Sequence, residues 1–168
     1  EKPFTYRITL TTKPEIKNEE NAVQKMIDKL VANAQKALDE YMKMDQEQVD
    51  EAVHAMALAG LDHHQELAKL AVDETGRGVF EDKVIKNVFG SRGVYEYIKD
   101  MKTVGELERD EVNKTRTIAV PVGVIAGLIP STNPTSTALY KSEIAIKAGN
   151  AIVFSPHPTA LRCIMETV

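Results

Sequence analysis

Two short, proline-bracketed stretches carry the side chains best suited to chemistry. The first reads Ile129-Pro130-Ser131-Thr132-Asn133-Pro134 and the second Phe154-Ser155-Pro156-His157-Pro158. Each follows an apolar run and precedes a helical pattern, so both are expected to be strand-to-helix turns. In parallel sheets, ligands bind beyond the carboxyl ends of the strands, where adjacent turns form a crevice and helix N-termini expose unpaired amides. The two turns should therefore share one rim. Proline on either side fixes each backbone path and would hold Asn133, Ser155 and His157 in defined positions. Asn133 is a neutral donor, able to give its side-chain amide to a carbonyl oxygen gaining negative charge. An Asn at such a junction also serves as a plain turn or cap residue, and His157 as a partly exposed loop histidine. Composition alone assigns the turns no reaction. Neither strand is followed by Gly-x-Gly-x-x-Gly or by Gly-x-x-x-x-Gly-Lys, so a nucleotide bound here would be held without those devices.

The elements that must position these turns follow from periodicity. Between Asn21 and Met44, Val23, Met26, Ile27, Leu30, Val31, Ala34, Ala37, Leu38, Tyr41 and Met42 make one helical stripe, expected to pack on the domain. Asp45 followed by Gln48 has the form of a reciprocal cap, opening a second helix that runs to Gly60. Asp62 is expected to cap a third helix, stopped by Gly76. A fourth, from about Phe80 to Ile98, carries Val84, Ile85, Val88 and Phe89, with Gly90 and Gly93 as weak points. Leu107 to Lys114 reads as a charged connection. The texture then changes: β-branched residues from Thr115 lead into a run from Val122 that is apolar on both faces, as in a strand covered by helices on both sides. A helix from Thr135 ends near Gly149, Ala151 to Phe154 is a second strand, and Thr159 to Val168 starts another helix. Strand, helix, strand, helix implies a parallel crossover in an α/β sheet. Three parts are expected: an extension over residues 1–18, in which Phe4 to Thr12 alternates like an edge strand, a helical segment over 19–110, and the start of an α/β domain over 111–168.

Composition narrows the classes. With 168 residues and 43% hydrophobic content the chain can bury a core. Its 21 Lys+Arg against 25 Asp+Glu give a net charge of -4, without the clustered basic excess that non-specific nucleic-acid binding requires. No run of eighteen apolar residues exists to span a membrane, and Glu1 to Pro14 lack the apolar stretch of a secretory signal. A soluble, cytoplasmic protein is expected. His54, His63 and His64 do not have metal-ligand spacing, because adjacent histidines point to different sides of a helix, so no metal site is expected. Cys163 lies on a helical pattern beside Leu161 and Ile164 and reads as a packed or surface thiol, lacking the environment that makes a thiol reactive.

The two turns resemble a known family. Val122-Gly123-Val124-Ile125-Ala126-Gly127-Leu128-Ile129-Pro130-Ser131-Thr132-Asn133-Pro134-Thr135-Ser136-Thr137, then Ile146-Lys147-Ala148-Gly149-Asn150-Ala151-Ile152-Val153-Phe154-Ser155-Pro156-His157-Pro158, is similar to the coenzyme A-acylating branch of the aldehyde dehydrogenase superfamily. That branch includes the aldehyde dehydrogenase half of bifunctional aldehyde-alcohol dehydrogenases and the propionaldehyde and acetaldehyde dehydrogenases of microcompartments. Ala71 to Gly78 and Glu81 to Asn87 resemble it as well, and the resemblance extends over about Ala22 to Val168.

The resemblance implies an aldehyde dehydrogenase-like fold and an N-terminal, NAD-binding portion. The implied reaction oxidises an aldehyde with NAD to a thioester on a cysteine, followed by transfer to coenzyme A. Asn133 falls at the oxyanion-stabilising asparagine. Ile129, Pro130, Ser131 and Thr132 would line the nicotinamide side, and Ser155, Pro156, His157 and Pro158 the adenosine side, with Ser155 where non-acylating relatives usually place a Lys. The nucleophile would lie beyond Val168, leaving these residues inactive alone. The implied partners are a small aldehyde or acyl-CoA, further copies of the chain, and either a microcompartment shell or a fused alcohol dehydrogenase.

Overall fold

The computed structural model describes residues 16–168, with side chains from Asn21 onward; the alternating stretch Phe4 to Thr12 lies outside the described residues. Helix α1 (Ile16–Tyr41) begins earlier than its apolar stripe indicates, and among its described side chains burial is confined to the C-terminal part. Leu38 is buried there, and the Tyr41 hydroxyl donates to the Ile146 carbonyl at 2.9 Å. Val23, Met26, Ile27, Leu30 and Val31 are exposed, so the first half of the stripe does not pack on the domain.

Helix α2 (Gln46–Asp62) opens with the expected reciprocal cap. The Asp45 carboxylate accepts from the Gln48 N–H at 3.0 Å, while Gln48 accepts from the Asp45 N–H at 3.1 Å. Its buried line is Val49, Val53, Ala57 and Gly60. Asp62 does not cap the third helix: it is the last residue of α2, and His63 precedes α3 (His64–Thr75) without a side-chain cap. The two helices follow each other with a single residue between, leaving no room for a separate capping turn. Gly76 ends α3 in the left-handed conformation, φ 62°.

The fourth helical stretch breaks at its glycines. Helix α4 (Phe80–Val88) passes into a π-helical turn (Phe89–Gly93) and then α5 (Val94–Ile98). A Cβ on Gly90 would lie 2.8 Å from the Ser136 carbonyl oxygen, so glycine here permits close backbone approach to a neighbouring helix. The burial here departs in part from the hydrophobic pattern: Val84 and Val88 are half-buried, but Ile85 and Phe89 are 67% and 70% exposed, whereas Lys83 and Asn87 are 3% and 0% exposed.

The charged connection is a hairpin. β1 (Gly105–Asp110) pairs antiparallel with β2 (Thr115–Ala119), and the Asp110 carboxylate closes the turn by accepting from the N–H groups of Val112 and Asn113 at 2.8 and 2.9 Å. Its strands are largely exposed and carry no apolar alternation, which is why β1 reads as a connection.

The crossover forms as expected. β3 (Val124–Ile129) pairs parallel with β4 (Ala151–Pro156), joined by α6 (Pro134–Lys147); a 3-10 turn (Pro158–Ala160) then leads into α7 (Leu161–Thr167). Ser155 and Pro156 belong to β4 rather than to the turn after it. β3 is not fully covered on both faces: Gly127 and Ile129 are buried, but Leu128 is 69% exposed. Ala71, Ile129, Ala138, Ala160, Cys163 and Ile164 close a core where α3, β3, α6 and α7 meet. The buried Lys147 ammonium donates to Asp50 at 2.5 Å and to the Lys99 carbonyl at 2.9 Å, tying α6 to α2 and the end of α5.

Candidate active site

The register of the parallel pair brings the two turns together. Ile129, the last residue of β3, lies opposite Pro156, the last of β4, and the His157 N–H donates to the Ile129 carbonyl at 3.1 Å. Both turns therefore leave the sheet on one rim. Pro130, Thr132, Ser155, His157 and Pro158 are exposed along it, while Ile129 and Ser131 are buried beneath. His157 turns Nδ1 back to accept from the Thr159 N–H at 3.2 Å, capping the 3-10 turn and leaving only Nε2 for anything outside.

Asn133 stands at the N-cap of α6, with Pro134 in the first helical turn, where a missing N–H costs nothing. Its backbone carbonyl accepts from the Thr137 N–H at 3.1 Å, but its side chain makes no cap hydrogen bond. A side-chain cap stabilises a helix by about 1 kcal/mol, and this helix forgoes it. Oδ1 instead accepts from the Lys86 ammonium at 3.1 Å.

Helix α4 holds the end of the turn and the start of α6. Lys83, Lys86 and Asn87 stand at the three-and-four spacing of one helix face. Lys83 Nζ donates to the Thr132 carbonyl at 2.6 Å, Lys86 to Asn133, and Asn87 Oδ1 accepts from the Thr135 hydroxyl at 2.7 Å. Asn87 is itself oriented by donating to the His64 carbonyl at 2.9 Å. Burial, and then the neighbouring Lys86 charge, lower the Lys83 pKa. The sequence places these α4 residues in the stretch Glu81 to Asn87 that resembles the family but gives them no role, because their partners lie nearly fifty positions away; the visible signal is a Lys-x-x-Lys-Asn spacing within an otherwise amphipathic helix.

Cys163 is wholly buried in α7, and its thiol lies 3.4 Å from the Ala160 carbonyl. Burial, followed by the hydrogen bond and charge of Glu74, pushes its pKa up to about 12. Such a thiol is a packed side chain and not a nucleophile. The histidines are dispersed: His54 stacks on Tyr95 at 5.2 Å, and His63 pairs with Glu66 at 3.0 Å. No group of three potential metal ligands occurs among the described residues. A hollow of about 640 Å³ lined by Gly60, Leu67, Leu139, Glu143 and Arg162 shares no residue with the two turns.

The aldehyde dehydrogenase family profile matches residues 7–168, a span that includes both turns. The chain belongs to the aldehyde dehydrogenase family. It is 52% identical over 134 residues to the bifunctional aldehyde-alcohol dehydrogenase of Escherichia coli, covering 80% of this chain and 15% of that protein. An acetylating aldehyde dehydrogenase from Geobacillus thermoglucosidasius superposes with a TM-score of 0.82 at 49% identity, over 85% of this chain and 32% of its own. A propionaldehyde dehydrogenase from Rhodopseudomonas palustris with bound propionyl-CoA gives 0.68 at 29% identity, over 83% and 31%. This member of the family thus spans about a third, or less, of the length of each of these relatives.

Proposed function

We propose that this chain is the N-terminal, cofactor-binding portion of an NAD-dependent, coenzyme A-acylating aldehyde dehydrogenase, which converts aldehyde, coenzyme A and NAD reversibly to acyl-CoA and NADH. The observation that carries the reading is Asn133: it sits at the carboxyl rim of β3 with its side chain withheld from the helix cap. Relatives named as acetylating, or carrying propionyl-CoA, support the acylating branch.

The rim suits a nucleotide. Its outer edge is exposed and polar, with the Ser155 hydroxyl free to exchange hydrogen bonds with a ribose, and α6 opens beneath it with backbone N–H groups that favour negative charge. Pro130 and Thr132 would meet the nicotinamide side, backed by Ile129 and Ser131, and Ser155, Pro156, His157 and Pro158 the adenosine side. NAD, when bound, supplies the hydride acceptor.

The chain's own contribution to the chemistry is electrostatic. When a cysteine thiolate, placed beyond Val168 in this reading, attacks the aldehyde, the carbonyl oxygen gains negative charge. The Asn133 amide donates to that oxygen, and again to the tetrahedral intermediate formed when coenzyme A takes the acyl group. Two prolines and the α4 side chains fix the donor before the reaction, so little reorganisation accompanies it.

The proposed setting is cytoplasmic or within a microcompartment, in an assembly of several copies, with a shell or a fused alcohol dehydrogenase as further partners. The exposed apolar half of α1 supports a partner surface, and no described helix is long and apolar enough to cross a membrane. Product analysis of the full-length enzyme tests the function: aldehyde, NAD and coenzyme A should yield acyl-CoA, and free acid formed regardless of coenzyme A would assign a non-acylating dehydrogenase instead.

A further inference from the structure

The contact between Lys86 and Asn133 has a consequence for the reaction. A carboxamide can turn by half a revolution about its last bond with little change in shape, exchanging an acceptor oxygen for a donor nitrogen. In one orientation the Asn133 oxygen meets the Lys86 ammonium, and in the other two donor groups face each other. The cation therefore selects one of two nearly isosteric states. With Oδ1 engaged at 3.1 Å, the opposite end of the amide is a pure donor.

The helix that carries Lys86 is held against the turn. Lys83 grips the Thr132 carbonyl on one side, Asn87 takes the Thr135 hydroxyl on the other, and the side chain of Gly90 is absent where α4 and its π turn come against Ser136. Three α4 side chains thus reach Thr132 and Asn133 in the turn and Thr135 in the first turn of α6, and the middle contact falls on the proposed oxyanion donor.

We propose that Lys86 is a positioning residue for acyl transfer: its ammonium fixes the orientation of the Asn133 amide so that both Nδ2 protons remain available to the reacting oxygen. This rests on the oxyanion reading of Asn133. Lys86 acts through that amide and touches neither substrate nor cofactor in this assignment.

The test is a double-mutant cycle in the full-length enzyme with Lys86→Met, Asn133→Ala and the pair, alongside Lys86→Arg. Because Lys86 is exposed, Lys86→Met should fold, and a thermal midpoint matching the parent checks this. Lys86→Met is expected to lower kcat about tenfold, with the KM for NAD changed less than about twofold. Lys86→Arg, which keeps a charged donor, should recover most of that loss. The double variant should be no slower than Asn133→Ala alone, since an amide that is gone cannot be misoriented. Unchanged turnover in Lys86→Met, failure of Lys86→Arg to recover it, or losses that multiply in the double variant would each overturn the Lys86 assignment while leaving Asn133 in its role. Unchanged turnover in Asn133→Ala would overturn the oxyanion reading and the Lys86 assignment with it.

Discussion

The Glu74 carboxylate, at the C-terminal end of α3, accepts the backbone N–H of Cys163 at 2.6 Å across 89 positions of sequence, and its second oxygen takes the Arg162 N–H at 2.8 Å. One acidic side chain thereby satisfies two of the free amides that open α7 and joins the helical segment to the end of the crossover unit.

Glu74→Ala should therefore destabilise the 168-residue chain by about 2 kcal/mol, the range for lost hydrogen bonds to a charged group. Burial alone would raise the Glu74 pKa, but the Cys163 and Arg162 N–H donors outweigh it and hold the carboxyl below its ordinary value. With the folded pKa depressed, the stabilisation is present above the ordinary carboxylate range and disappears as the pH falls through the folded value. Urea melts at neutral and acid pH check this: the difference between parent and variant should shrink toward acid.

Glu143 predicts the opposite slope. Both carboxylate oxygens are buried without a hydrogen-bond partner among the described residues, and burial pushes the pKa from 4.5 up to about 8. Across that window the unfolded chain has released the proton and the folded chain has kept it, so rising pH favours unfolding. Glu143→Gln removes the titration and should gain about 2 to 4 kcal/mol over the parent between pH ~5 and pH ~8. Equal differences at both pH values would show that this carboxyl ionises in the folded chain as it does in the unfolded one.

For Asn133 the expected outcome is a turnover effect. Asn133→Ala in the full-length enzyme should lower kcat by about a hundredfold or more, as removal of an oxyanion donor does elsewhere, with little change in NAD affinity measured by nucleotide fluorescence. An effect confined to NAD affinity would place the residue in cofactor binding instead.

Cys163 should be silent. Its thiol is buried and its pKa stands near 12, so native enzyme treated with iodoacetamide should remain unmodified at this position by peptide mass analysis, and Cys163→Ser should keep thioester-forming activity. Loss of that activity with an unaltered thermal midpoint would return the thiol to the chemistry.

The crossover was readable because each of its signals is local. Val124 to Ile129 is β-branched and apolar, Pro134 marks the first turn of α6, and Gly149 takes φ 75° before β4. The Asp45 and Gln48 cap and the Gly76 stop are likewise contained within a few residues. What escaped was decided at a distance. The strand Gly105–Asp110 carries a single large apolar side chain, Leu107, so only its partner identifies it. Across α4 and its π turn the apolar set is Val84, Ile85, Val88 and Phe89; Val84 and Val88 are half-buried, but Ile85 and Phe89 are exposed, and hydrogen bonding to the β3–α6 turn draws Lys83 and Asn87 inward instead. Asn133 was found from its place between two prolines; its partner Lys86 lay 47 positions upstream, where no spacing rule connects them.

The inward polar face of α4 also bears on the order in which the chain is made. Lys83 and Asn87 leave the ribosome 49 and 48 residues ahead of the Thr132 and Thr135 groups that they will hold. Until the turn arrives, this face is hydrated and self-sufficient in water, whereas an apolar face awaiting a late partner would be open to misassociation. The surface that secures the turn can wait for it without aggregating.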